Sequence, residues 1–245
     1  FDFRCADIAM GSGHFLVAAV DRIEARLSGF LALHPIPLVT AELDTLRQAA
    51  LDALGDLADA HEIETTSLLR RQVARRCVYG VDINEIAVEL ARLAIWIHTF
   101  VPGLPLSFLD HSLICGDSLT GIGTLDEALD VLDPEHDSGG KVSLFRDGIE
   151  DFLERASSYL KGLAAITEAT TADVAAAHVL HRDALRAVEP ARQLFDLLVA
   201  ARLDEARRPV EISDAAISGH PQVNSAQELA SAMQVVHFPI RLPEL

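Results

Sequence analysis

The sequence predicts an α/β fold with a parallel, doubly wound sheet and large helical insertions. Three short apolar runs, each closed by an aspartate, predict strands at residues 3–8, 77–83 and 113–115. Helical periodicity separates these runs, and such strand–helix alternation is typical of parallel sheets. Half of the residues are hydrophobic but only 5% are aromatic. Alanine and leucine fill this apolar fraction, which favours helices.

The first half of the chain alternates strands with long helical segments. Apolar side chains recur at helical spacing over residues 13–28 and predict a helix there. Two prolines predict irregular backbone over 29–38. Thr40 is the expected N-cap of a helix that reaches about residue 60, and a further helix is expected over about 62–76.

One more helix is predicted before the third strand, and the strand signal fades after about residue 120. Asn84 is the expected N-cap of a helix over about 85–98. The polar, glycine-containing stretch 133–143 predicts a mobile loop. Residues 144–208 show helical periodicity again.

The chain begins inside a strand-like segment rather than at a methionine, and we expect it to be part of a longer protein. Residues 1–120 form the predicted α/β portion, with a helical insert at about 40–76. Residues 121–234 are predicted to be a mainly helical insertion, in which Ser225 and Glu228 form the capping box of a last helix. Residues 237–245 are expected to be extended, and residues 235–245 to lead into a further strand.

The charge of the chain limits its direct use of nucleic acid. The net charge is −17, whereas DNA-binding surfaces are basic. Contacts with a DNA partner are therefore expected mostly through regions outside this chain. One predicted helix carries a dense basic cluster, and a solvated helix face is the favoured interpretation. This cluster comprises Arg70, Arg71, Arg75 and Arg76.

The cysteines and the hydropathy indicate the compartment. Cys5, Cys77 and Cys115 lie singly, without Cys-x-x-Cys spacing. Unpaired cysteines are typical of a reducing compartment, so we expect a cytoplasmic protein with small buried thiols. No run of about 18 apolar residues occurs, and no membrane span is expected.

The stretch Asp7–Phe15, Asp-Ile-Ala-Met-Gly-Ser-Gly-His-Phe, joins the first predicted strand to the first predicted helix. Gly11 and Gly13 lack a Cβ, so the backbone can turn sharply and approach a ligand closely. The helix that follows directs its free N–H groups toward the same place. The turn therefore predicts a site for a polar cofactor.

Three aspartates close the three predicted strands, namely Asp7, Asp82 and Asp117. In an open parallel sheet, the carboxyl ends of the strands share one edge, where ligands bind. A single aspartate after a strand is common in any turn. Three of them at one edge favour a ligand with several hydrogen-bond donors.

The motifs resemble those of the S-adenosylmethionine (SAM)-dependent amino-methyltransferases of DNA. Asp7–Gly13 resembles their motif I, Asp-Pro-Ala-Cys-Gly-Ser-Gly, with Ile8 and Met10 replacing the proline and the cysteine. Residues 79–91 resemble motif II, and residues 116–119 resemble motif III. The resemblance covers residues 1–120 and implies a partial Rossmann-like methyltransferase fold.

The resemblance also implies a role for each site residue. Asp82 would accept from the ribose hydroxyls of SAM, Ile83 would pack on adenine, and Asp117 would accept from the adenine amine. Asp7 and the turn 9–13 would hold the methionine moiety, with Phe15 nearby. The implied cofactor-binding residues are Asp7, Ala9, Gly11, Ser12, Gly13, Phe15, Asp82, Ile83, Asp117 and Ser118.

The resemblance implies a DNA adenine-N6 methyltransferase of a restriction-modification or phage-defence system. The long helical insert is similar to that of type IIG restriction-modification enzymes and of the methyltransferase subunits of phage-exclusion systems. The catalytic motif of the family, Asn/Asp-Pro-Pro-aromatic, does not occur in these 245 residues. The chain is thus expected to hold SAM but to lack catalytic residues, and to be inactive alone. RNA or protein substrates remain alternatives.

A second interpretation is a non-catalytic scaffold with a SAM-type fold, which would bind a partner protein through the helices at 144–208. Two further candidate sites are weaker. His178 and His181 have helical spacing but no matched third metal ligand. The Asp110-His111-Ser112 run has the residue types of a catalytic triad, but sequence neighbours rarely reach triad geometry. No metal site is predicted.

Overall fold

The computed structural model describes residues 3–60, 63–132, 141–203 and 221–242. The chain divides into two compact units. The first comprises residues 1–115 and 162–179, and the second comprises residues 116–161 and 180–245.

The first unit contains a three-stranded parallel sheet in the order β1–β2–β3. The strands are β1 (Cys5–Asp7), β2 (Val78–Asp82) and β3 (Leu113–Cys115), inside the three predicted apolar runs. The register pairs Asp7 with Gly80 and Asp82 with Cys115. Because all pairs are parallel, Asp7 and Asp82 stand at the same edge of the sheet. A complete doubly wound sheet remains a prediction.

Helices connect these strands. The connection from β1 to β2 runs through α1 (His14–Leu33), α2 (Pro37–Leu54), a 3₁₀ segment (Gly55–Ala60) and α3 (Thr65–Cys77). Helix α4 (Glu85–His98) follows β2 and precedes β3. The sheet is thus covered by helices that the chain places between consecutive strands, as parallel pairing requires.

Two expectations about helix ends are wrong and one is confirmed. Helix α1 continues to Leu33, five residues beyond its expected end. Helix α2 begins at Pro37 rather than after Thr40, because proline has its φ preset for the first helical position. Asn84 does cap α4, since its side chain accepts from the Ile86 N–H at 3.0 Å.

The main core of the first unit lies between the sheet and helices α1, α3 and α4. Burying each leucine or valine there stabilises the fold by about 1.5–3 kcal/mol. Its fully buried members include Leu16, Val20, Val73, Val78, Val88, Ala91, Ile95 and Leu113. A second cluster joins α2 to α3 and contains Leu43, Leu46, Leu68 and Leu69.

The basic cluster of α3 is not a solvated face, so that interpretation is wrong. Arg76 makes a two-pronged ion pair with Glu42 of α2 at 2.6 and 3.0 Å. Arg70 pairs with Asp21 of α1 at 3.3 Å. The arginines of α3 therefore tie this helix to its neighbours.

The other two arginines of α3 are buried with a glutamate from a distant part of the chain. Arg75 lies 3.1 Å from the Glu168 carboxylate, and Arg71 donates to the Glu168 carbonyl at 3.4 Å. The Phe108 N–H also donates to the Glu168 carboxylate, at 3.2 Å. Burial lowers the pKa of Arg71 to about 10. Glu168 adopts φ +55°, a left-handed conformation that these contacts hold in place.

The second unit is helical. It contains α5 (Leu125–Leu132) and α8 (Glu189–Leu203), parts of α6 (Lys141–Ala165) and α7 (Thr171–Ala187), and then α9 (Pro221–Ala232) and α10 (Phe238–Arg241). The capping box at Ser225 is wrong, because α9 already begins at Pro221. The extended segment expected over 237–245 includes the short helix α10, while residues 133–140 of the predicted loop lie outside the described residues.

A buried histidine organises this unit. His237 is 3% exposed, and its Nε2 lies 3.0 Å from Asp196 of α8. Its Nδ1 accepts from the Ile122 N–H at 3.2 Å, which assigns the proton to Nε2.

Within the described ranges, no helix combines the length and hydropathy needed to cross a membrane.

Candidate cofactor site at the ends of β1 and β2

The turn between β1 and α1 is held against β2 by backbone hydrogen bonds. The Met10 N–H donates to the Val81 carbonyl at 3.0 Å, and the Gly13 N–H donates to the Met10 carbonyl at 2.9 Å. The Met10 side chain is buried beside Gly80. A Cβ on residue 80 would collide with the Met10 sulfur. The apolar replacement in motif I thus anchors the turn in the core.

Gly11 and Gly13 both have left-handed backbone, with φ +54° and +81°. L-residues with a Cβ pay about 1–2 kcal/mol for this conformation. Their surroundings differ. A Cβ at Gly13 would lie 3.0 Å from the Ala91 Cβ of α4, whereas a Cβ at Gly11 would have nothing within 4 Å. Gly13 therefore permits close packing of α1 on α4, and Gly11 borders open space.

Asp82 links the end of β2 to the glycine turn. Its Oδ2 accepts from the Gly11 N–H at 2.8 Å, and its Oδ1 accepts from the Asn84 N–H at 2.9 Å. Sequence reasoning assigned Asp82 to a ligand and missed this structural role. A carboxylate has about four lone-pair positions, so Asp82 can organise the turn and still accept from a ligand.

The remaining residues of the turn are accessible. Asp7 is half-buried, and its Oδ1 accepts from the Ala9 N–H at 3.1 Å. Ser12 Oγ lies 2.9 Å from His14 Nδ1 at the start of α1. Two apolar side chains of this region are also exposed, Phe15 by 57% and Ile83 by 58%. The edge thus offers backbone N–H groups, carboxylate oxygens and apolar surface.

Asp117 and Ser118 follow β3 but belong to the second unit. The Asp117 N–H donates to the Gln234 carbonyl at 2.7 Å, and its carbonyl accepts from the Val236 N–H at 3.2 Å. Its carboxylate accepts from the Leu119 N–H at 2.8 Å. Asp117 is therefore paired with the backbone around Val235, where the sequence placed the start of the lead-in to a further strand, residues 235–245.

Cys115, the last residue of β3, has an acidic environment. Partial burial raises the pKa of its thiol, and the charges of Glu85, Asp82 and Glu89 raise it further against the opposing effect of Arg92. The thiol therefore stays protonated at neutral pH. A protonated thiol is a poor nucleophile, so these surroundings do not activate Cys115.

The two weaker candidates have structural partners instead. The His178 ring packs on Phe108 with 4.2 Å between the ring centroids. Asp110 pairs with Arg92 at 3.4 Å, whereas the buried Ser112 hydroxyl donates to the Leu109 carbonyl at 3.3 Å. Among the described residues, no group of three or more histidines, cysteines or carboxylates is placed to hold a metal ion.

The chain is similar to a protein of Methanocaldococcus jannaschii that bears the name "Putative type II restriction enzyme and methyltransferase". The two are 27% identical over 136 residues, which is 51% of this chain and 9% of the relative. The chain spans less than a tenth of that relative's length. No protein-family model and no solved structure matches the chain.

Proposed function

We propose that this chain is the SAM-binding part of a DNA adenine-N6 methyltransferase from a restriction-modification or phage-defence system. The observation that carries the proposal is the glycine turn at the N-terminus of α1, fixed by Asp82 through the Gly11 N–H. The likeness to a protein named as a restriction enzyme and methyltransferase supports the same choice.

The residues at the turn fit the chemistry of SAM. A Cβ at Gly11 would have nothing within 4 Å, so a ligand has room to approach the Gly11 backbone closely. Asp82 keeps lone pairs for two ribose hydroxyls, and the exposed Ile83 beside it offers an apolar face to adenine. Asp7 keeps one carboxylate oxygen for the ammonium group. The assignment of Asp117 and Ser118 to the adenine rests on the sequence resemblance.

This chain would bind and orient the cofactor rather than complete the reaction. SAM, when bound, supplies an electrophilic methyl group on a sulfonium. Transfer to an adenine amine needs a flipped base held by polar and aromatic side chains. The Asn/Asp-Pro-Pro-aromatic motif that would hold it is absent from the 245 residues. The net charge of −17 also leaves most DNA contacts to other regions.

Calorimetric titration with SAM and with S-adenosylhomocysteine tests the proposal. Ile83→Ser removes the apolar face without touching the turn, and we expect it to weaken binding about tenfold, or about 1.4 kcal/mol. The matched control is Leu38→Ser on α2, which is 83% exposed and distant in sequence from the turn. Wild-type affinity in the Ile83 variant, or no binding by folded wild-type chain, would contradict the proposal.

A methylation assay distinguishes the enzyme from a non-catalytic scaffold, because only the enzyme forms a methylated product. The protein that contains this chain should transfer labelled methyl from SAM to the N6 position of adenine in DNA. A protein that binds SAM but labels neither DNA nor RNA nor protein would favour the scaffold.

A further inference from the structure

Helix α4 has a second apolar face, directed away from the core. Its inner face, formed by Val88, Ala91 and Ile95, is buried against the sheet and α1. Its outer face carries four large apolar side chains that remain exposed. They are Ile86 (70% exposed), Leu90 (49%), Leu93 (49%) and Ile97 (70%), and we call them the outer stripe.

The outer stripe has the spacing of a helix-pairing seam. Its members follow one another at intervals of four, three and four residues, the alternation of the two apolar positions in a heptad. Single exposed apolar residues are normal on a protein surface, but a contiguous stripe along one helix marks an interaction site. The expected occupant is another helix.

The order of residues in the outer stripe indicates which helix would pair with it. Read from either end of α4, the stripe is Ile-Leu-Leu-Ile with the same spacing. An antiparallel copy would therefore place Ile86 opposite Ile97 and Leu90 opposite Leu93, with both contacts repeated by the two-fold axis. Such self-complementarity is what an isologous dimer contact requires.

The flanks of the stripe suit the same pairing. In an antiparallel two-fold arrangement, each flank of the outer stripe lies against the same flank of the second copy. One flank carries Ala87 and Ala94, which allow two helix backbones to approach closely. The other flank carries Glu89 and Trp96. Glu89 is neutralised by Arg92 of its own helix at 2.5 Å, and the Trp96 indole already donates to the Ser107 carbonyl at 2.8 Å.

We propose that α4 pairs antiparallel with α4 of a second copy of this chain, around a two-fold axis between Ala91 and Arg92. The outer stripe would bury on the order of 400 Å² per copy, or about 800 Å² in total, which is less than the roughly 1,000 Å² that a stable interface needs and fits a transient one. The dimer is thus weak and concentration-dependent. The proposal does not depend on SAM binding.

Sedimentation equilibrium of the chain over a range of concentrations tests the pairing. We expect a reversible monomer–dimer equilibrium from the 26.5 kDa monomer. The double variant Leu90→Glu, Leu93→Glu should dimerise at least tenfold more weakly, whereas Leu38→Glu on α2 should match wild type. Circular dichroism and Trp96 fluorescence show that each variant is folded. A monomeric wild type, or a stripe variant that dimerises normally, would overturn the proposal.

Cysteine cross-linking tests the orientation separately. A mixture of Leu90→Cys and Leu93→Cys chains should form a disulfide between positions 90 and 93 under mild oxidation, identified by peptide mass mapping. Each variant alone should give little dimer through its new cysteine. Efficient cross-linking of Leu90→Cys with itself would indicate parallel pairing and would overturn the antiparallel arrangement.

Discussion

Gly13 is predicted to be more important for stability than Gly11, although both have left-handed backbone. Gly13→Ala adds a Cβ in a left-handed conformation, at a cost of about 1–2 kcal/mol. That Cβ also lies 3.0 Å from the Ala91 Cβ, and overpacking of this kind costs about 1–3 kcal/mol. The lower entropy of the unfolded alanine chain offsets about 0.4–1 kcal/mol. The net loss of unfolding free energy is about 2–4 kcal/mol.

Gly11→Ala is the matched control. It carries the same backbone cost but meets nothing within 4 Å, so we expect a loss of about 1 kcal/mol. Because the added methyl would stand where SAM is proposed to approach the Gly11 backbone, this variant should still lose SAM affinity. Urea denaturation followed by the fluorescence of Trp96, the single tryptophan, measures the stability of the first unit.

The contact with α4 can be isolated by a double-variant cycle. Ala91→Gly removes the Cβ that would lie 3.0 Å from the new methyl, leaves the Ala91 Cα at 3.1 Å, and costs about 1 kcal/mol in helix propensity. Because part of the overpacking is relieved, the double variant should be destabilised by less than the sum of the two single changes, with a difference of about 0.5 kcal/mol or more. The reasoning would be refuted if Gly13→Ala and Gly11→Ala agreed within about 0.5 kcal/mol, or if the cycle were additive.

Two further predictions concern the charged groups outside the turn. Glu168→Gln leaves the buried Arg71 and Arg75 without their counter-charge, and we expect the first unit to lose about 3–5 kcal/mol of unfolding free energy in urea; a loss below about 1 kcal/mol would count against the role of this cluster. The hydrogen bond from Arg192 lowers the pKa of Glu189. The ionised Glu189 side chain therefore stabilises the fold above the ordinary glutamate pKa of about 4.3, and this stabilisation is lost as the pH falls. Stability of wild type should therefore decline more steeply below this pH than stability of Arg192→Met, and equal acid slopes would disprove the assignment.

The sequence was sufficient to predict an element of the fold where the interaction that determines it is local. The three strands lie inside apolar runs bounded by turn residues, and Asn84 caps α4 through a contact two residues away. Local rules also compete, however. Thr40 is a good N-cap, but Pro37 three residues earlier is a better helix start.

The sequence was insufficient where the partner is distant in the chain. Arg75 pairs with Glu168 and Arg76 with Glu42, so a cluster of like charges on one helix gave no sign of burial. Asp82 was assigned to a ligand, yet its nearest donor is the N–H of Gly11, 71 residues earlier. Gly13 and Ala91 are both small, which is compatible with close packing, but only the fold shows that they lie against each other.

The most direct test of cofactor binding is a two-dimensional ¹H–¹⁵N spectrum of the labelled chain titrated with S-adenosylhomocysteine. Binding at the glycine turn predicts saturable shifts at the amides of Gly11, Ser12 and Ile83. The Leu38 amide on α2 should not move. Shifts that leave the turn unchanged, or no shifts at a large excess of ligand, would contradict a SAM site at this edge of the sheet.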